Sequence, residues 1–65
     1  MIIEIYEKET DELYNIHFAV GSVYYNEGEL VVVAKGGLTL GYYDADYFYY
    51  KNVYTMTEAE NAETN

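Results

Sequence analysis

Between Glu29 and Tyr43 the chain reads ELVVVAKGGLTLGYY, and this stretch leaves few choices of fold. An apolar run from Leu30 to Ala34 stops at Lys35-Gly36-Gly37, and a second run, Leu38-Thr39-Leu40, follows it. Glycine reaches the φ > 0 angles of tight primed turns at no steric cost, so two β-rich segments around Gly-Gly predict an antiparallel hairpin. Leu30 to Ala34 is apolar on both faces, unlike a strand with one wet side. Leu30, Val32 and Ala34 are assigned to the core. Val31 and Val33 then need a second cover, supplied by another layer or another chain, and are the candidate self-association residues.

The rest of the chain carries the same period. Ile3 and Ile5 alternate with Glu4 and Tyr6, a strand that ends in the polar cluster Lys8–Glu12. Leu13 to Val20 predicts a half-buried strand with Tyr14, Ile16, Phe18 and Val20 on its apolar face. Asn15, His17 and Ala19 fall on its polar face. Val23-Tyr24-Tyr25 is a short strand after Gly21-Ser22, and Asn26-Glu27-Gly28 sets Gly28 at the left-handed position of a hairpin loop. Gly41 marks a bulge or sharp bend. Asp44-Ala45-Asp46 is a turn, and Tyr47 to Met56 is the last strand. The alternative is a sheet covered on one face by a short helix, placed at Asp44–Tyr50 or in the tail. The expectation is an all-β fold, a small antiparallel meander of five or six short strands in a curled sheet or small barrel. Residues 1–56 form this single domain, and 57–65, TEAENAETN, form a flexible acidic tail.

Size sharpens the argument. A chain of 65 residues buries only about 60% of its unfolded surface, so its core is marginal alone. It has no cysteine, which removes disulfides and thiolate metal sites, and one histidine. Association remains as a support, and a homodimer or a chain that docks on another molecule is expected. Nothing at the start resembles a secretory signal, no segment is long enough to span a membrane, and a cytoplasmic protein is expected.

Charge and tyrosine content carry the functional reading. Twelve acids against three basic residues, all lysine, give a formal net charge of −9. That balance argues against direct contact with nucleic acid or anionic membrane, and it points to basic partners. Ten tyrosines, with no tryptophan, provide rings with polar tips of the kind enriched at interfaces. Catalysis finds little support. The lone Ser22 and His17 lack any elbow or oxyanion signature, Gly36-Gly37 is not a phosphate loop, and Asp44-x-Asp46 lacks the ligand series of a calcium loop. A non-enzymatic protein with no metal and no cofactor is expected.

The acids lie mostly in turns, where carboxylates on a stiff scaffold can present charge at spacings like those of a phosphate backbone. Glu27, Glu29, Asp44 and Asp46, with Tyr43, Tyr47 and Tyr49 as apolar anchors, are the candidate partner-binding residues. The general profile is similar to small phage-encoded inhibitors of bacterial defence systems and to DNA-mimic proteins. That similarity is one of composition, and no residue is assigned from it. The resulting expectation is a small acidic protein that blocks the basic surface of a partner such as a nucleic-acid-processing enzyme. The alternatives are a module that sequesters a small molecule in a tyrosine-lined pocket and a self-assembling structural protein.

Overall fold

A computed structural model describes residues 1–53. It contains six strands: β1 (Ile2–Glu7), β2 (Leu13–His17), β3 (Val20–Asn26), β4 (Glu29–Ala34), β5 (Thr39–Asp44) and β6 (Phe48–Val53). The described residues contain no helix, so Asp44–Tyr50 forms turn and strand. The strands form two three-stranded antiparallel sheets, ordered β2-β1-β6 and β3-β4-β5. The chain passes between the sheets at Phe18-Ala19 and at Ala45–Tyr47, so the meander curls back on itself. Met1 and Val20 close one corner by exchanging two hydrogen bonds, each 2.9 Å, between the start of β1 and the start of β3.

The middle strands make the core because, among the described strands, only β1 and β4 have a neighbour on each side. Ile3 and Ile5 of β1 meet Leu30 and Val32 of β4, with Val20 at the corner, and all five are buried. Met1, Val23, Leu40, Tyr43, Phe48 and Tyr50 pack around them. Val31, on the other face of β4, is also buried. It lies in a cross-strand row between Tyr24 and Tyr42. Val33 is half-buried between Ser22 and Thr39.

Turn chemistry follows the sequence in one hairpin and departs from it in another. Asn26 pairs with Glu29 across a two-residue turn in which Glu27 and Gly28 have φ of 50° and 80°. Positive φ at both positions is the type I′ pattern. In the β4–β5 hairpin only Gly37 has positive φ. Leu38 lies in the loop and is exposed, and the strand begins at Thr39. Next, the register moves from Val32↔Gly41 to Val33↔Thr39, leaving Leu40 as the extra residue of a bulge beside Gly41. That bulge lets Leu40, Gly41 and Tyr43 all approach the core.

The second strand corrects the expectation for Leu13–Val20. It ends at His17, because Ala19 sits at φ 54°, a left-handed conformation that breaks the ladder. Ile3 pairs with His17 and Ile5 with Asn15, so the polar side chains share the inner face with the two core isoleucines. Ile16 is turned outward opposite Glu4, and Phe18 is exposed. Tyr14 is the extra residue of a bulge between Ile5 and Tyr6, which brings its ring to 4.7 Å from that of Phe48. The expected last strand is shorter at its start, and its end after Val53, like the acidic segment 57–65, lies outside the described residues.

Candidate functional site

The β3–β4 turn and the β5–β6 turn lie at the same end of the second sheet because β4 is the middle strand of that sheet. Glu29, the first residue of β4, has Asn26 on one side and Asp44 on the other. The amide of Ala45 donates to the Gly28 carbonyl at 2.8 Å and extends the ladder past the strand ends. The two turns are thereby held in fixed register. Between them is a solvent-open concavity of about 450 Å³, lined by Glu27, Gly28, Glu29, Tyr42, Tyr43, Asp44 and Asp46.

Local structure aims the carboxylates. Glu27 occupies a left-handed turn position that favours glycine or asparagine, so a non-glycine side chain is kept there at a conformational cost. Asp44 Oδ1 accepts from the Asp46 amide at 2.9 Å, which folds the turn around its own side chain. Glu29 and Asp44 are directly opposite on adjacent strands. Like charges in that relation destabilise a sheet, where opposite charges would stabilise it. Lys35 lies past the other end of β4, and Lys51 lies in the first sheet over the Tyr6 ring, 4.5 Å from its centroid.

Tyr43 is one wall of the concavity and also the clamp that holds its strand to the other sheet. Its hydroxyl accepts from Asn15 Nδ2 at 2.8 Å and is 2.6 Å from His17 Nε2. With Asn15 donating, the phenolic proton is free for the imidazole, which fits His17 protonated on Nδ1. The ring lies back over Gly41. A Cβ built there would be 2.9 Å from Tyr43 Cε2 and 3.3 Å from His17 Nε2. Burial lowers the His17 pKa from its ordinary 6.5. Ser22 is on the outer face of β3 opposite Val33, while the imidazole of His17 is turned inward to Tyr43.

Five of the seven candidate partner-binding residues therefore line one concavity: Glu27, Glu29, Tyr43, Asp44 and Asp46. Tyr47 and Tyr49 do not line it. Tyr47 is exposed in the β5–β6 turn. Tyr49 is on the outer face of the first sheet, stacked on Tyr6 at 5.5 Å and donating to Asp11 Oδ1 at 2.8 Å. Sequence reasoning passed over Tyr42, which lines the concavity beside Asp44 and flanks Val31 on the outer sheet face. The available signal was parity, since Tyr42 and Asp44 fall on the same face of one strand. Among the described residues, no group of three or more histidine, aspartate or glutamate side chains is arranged to hold a metal ion. No described helix is long and apolar enough to cross a membrane. No family model, curated protein or solved structure matches this chain.

Proposed function

We propose that this chain is a non-enzymatic binding protein whose acidic concavity occupies the basic surface of a partner protein. The observation that carries this reading is the Glu29–Asp44 pair, with Glu27 and Asp46 on the flanking turns. A fold that sets two carboxylates opposite each other on adjacent strands, beside turns in fixed register, bears a repulsion that a cationic partner would relieve. Tyr42 and Tyr43 add ring surface beside the charge, and a lysine or arginine gains from both together. A basic groove built for phosphate is the surface that such a cluster fits, so the partner class is a nucleic-acid-processing protein of the cytoplasm. The same reading makes the chain an inhibitor by nucleic-acid mimicry, of the kind used against bacterial defence systems, and a homodimer in its working form.

The test is a tagged pull-down from nuclease-treated bacterial lysate, washed across a salt series. A nucleic-acid-processing protein retained at low salt and released at high salt is the expected result. Glu29→Lys with Asp44→Lys should lower its recovery at least tenfold. Recovery unchanged by these reversals would remove the electrostatic account.

A further inference from the structure

Among the described strands, β2 and β6 are the edges of one sheet and β3 and β5 the edges of the other. An edge strand offers unpaired amides and carbonyls to another chain, and proteins blunt such edges with charge, proline or bulges. β2 is interrupted by the bulge at Tyr14, and its Ile16 amide already donates to Asn15 Oδ1 at 2.9 Å. β5 has the Leu40 bulge within it and ends in Asp44. β6 has Lys51 within it. β3 differs from all of them. From Ser22 to Asn26 it has no lysine, acid or proline and stays in unbroken register with Val33–Glu29 of β4.

The turn after β3 fixes which backbone groups face outward. A two-residue hairpin loop is flanked by a pair that exchanges both ladder bonds, here Asn26 and Glu29. Bonded and non-bonded pairs alternate from there, so Tyr24 and Ser22 bond to β4. The amides and carbonyls of Val23 and Tyr25 point away from it, to the free edge. The open stretch ends at the Glu27 turn on one side. On the other, beyond Gly21, Met1 takes both backbone groups of Val20. Its midpoint is Tyr24. We propose that β3 pairs antiparallel with β3 of a second copy, about a two-fold axis at Tyr24, and so joins the β3-β4-β5 sheets of two chains into one.

A second copy suits this edge in hydrogen bonding, in charge and in side-chain rows. Val23 of each copy meets Tyr25 of the other, so every outward group of the open stretch gains a partner. Two chains of net charge −9 repel, but Leu13 to Asn26 has no lysine, aspartate or glutamate. The axis sets Asn26 of each copy opposite Ser22 of the other and puts no acid opposite an acid. It also carries Glu27 of each copy past Ser22 of the other, toward Gly21. Lys35 is there: its Cα would stand 2.9 Å from a Cβ built on Gly21, and it is the one charged residue between Glu29 and Asp44. The two acidic concavities come to opposite ends of the joined sheet. On the outer face, the row Tyr42–Val31–Tyr24 continues through Tyr24 of the second copy, and aromatic pairs across strands are favourable. This places the homodimer named above and stands without the basic partner, since it concerns the free chain alone.

The test is sedimentation equilibrium of the full chain from micromolar to millimolar concentration, with amide hydrogen exchange measured at both ends of the range. The mass should rise to twice that of the chain and no further, as a closed two-fold pair requires. The Val23 and Tyr25 amides should slow at least tenfold as the dimer fills, and the Tyr24 amide, bonded within the chain, should change less. Tyr24→Lys sets two ammonium groups across the axis and should weaken association at least tenfold. Methylating the Tyr25 amide nitrogen by chemical synthesis removes one outward donor, spares the bonds to β4 and should do the same. Lys35→Glu should weaken association, and adding Glu27→Lys should restore it. A monomer at millimolar concentration would overturn the proposal, as would mass growing past a dimer. So would a dimer that leaves Val23 and Tyr25 exchange unchanged, or equal protection of both amides at every concentration, which would mean that another part of the same chain covers the edge. A failed pull-down leaves this dimer intact, and a monomer leaves the pull-down reading intact.

Discussion

Gly41→Ala tests the contact that holds the two sheets together. The added methyl would stand 2.9 Å from Tyr43 Cε2 and 3.2 Å from its hydroxyl oxygen. Carbon atoms in ordinary contact are roughly 3.5–4.0 Å apart, so the ring must retreat by about 0.6–1 Å or the strand must bend. Retreat is opposed by the bonds of 2.6 and 2.8 Å that pin the hydroxyl to His17 and Asn15. Losing both is worth about 1–3 kcal/mol at a net contribution near 1 kcal/mol each. Keeping both and overpacking also costs about 1–3 kcal/mol.

Against this stands a gain of about 0.4–1 kcal/mol from the stiffer unfolded chain, and the centres of the two ranges leave a net loss of about 1–2 kcal/mol. A chain of this length has roughly 3–10 kcal/mol of stability in all, so the effect is large. The melting temperature should fall by about 5–15 °C. Urea unfolding followed by tyrosine emission measures the loss directly, since there is no tryptophan to mask the signal. The m-value should not change. Gly36→Ala, where an added Cβ meets nothing within 4 Å, is the control and should be neutral or slightly stabilising. In a Tyr43→Val background the Gly41→Ala cost should disappear, as a double-mutant cycle would register. If Gly41→Ala matches the unmodified chain within about 0.3 kcal/mol, Tyr43 does not constrain this site and the clamp geometry is wrong.

Two further outcomes follow from the charge and tyrosine placements. Glu29→Gln removes the repulsion across from Asp44 and should raise stability by about 0.2–1 kcal/mol at low salt, with the gain shrinking as salt rises and partner recovery weakening. At the alkaline end, Tyr6 and Tyr49 ionise above the ordinary 10.0, because Glu4 and Asp11 accept their hydroxyl protons. The folded state then holds more protons than the unfolded chain, so stability is intact below pH 10 and is lost as pH rises through the folded pKa values. Phenolate absorbance on titration, repeated in Glu4→Gln, should show the Tyr6 shift reduced.

The features legible in the sequence belong to the middle strands. Ile3 and Ile5, and Leu30 and Val32, occupy positions with a neighbour on each side, so period and burial agree. The edge strand β2 misled for the opposite reason. Its Ile16 faces outward, Phe18 just past its end is exposed, and its polar residues are retained inside by Tyr43, far along the chain. Alternation carries no information about a partner that distant. Glu27, Glu29, Asp44 and Asp46 were legible as turn residues. Their convergence needs only the knowledge that β4 lies between β3 and β5, which two consecutive hairpins imply. Nearness in sequence groups Tyr47 and Tyr49 with them, but the chain crosses to the other sheet just after Asp44.

The pairing of β1 with β6 sets the order in which the molecule can form. β3, β4 and β5 are successive hairpins whose contacts close loops of a few residues. Ile5, by contrast, pairs with Tyr50, and closing that span costs roughly 2 kcal/mol more chain entropy than closing a hairpin. Non-local pairing of this kind slows folding. During synthesis the second sheet, with its acidic turns, can assemble while β1 still lacks its outer neighbour, and β1 waits for nearly the whole described chain. The edge that β6 will cover stays open for that interval, and it runs along the two isoleucines of the core. Aggregation during expression should therefore depend on how quickly β6 arrives. Truncations ending before Phe48 would expose that edge permanently.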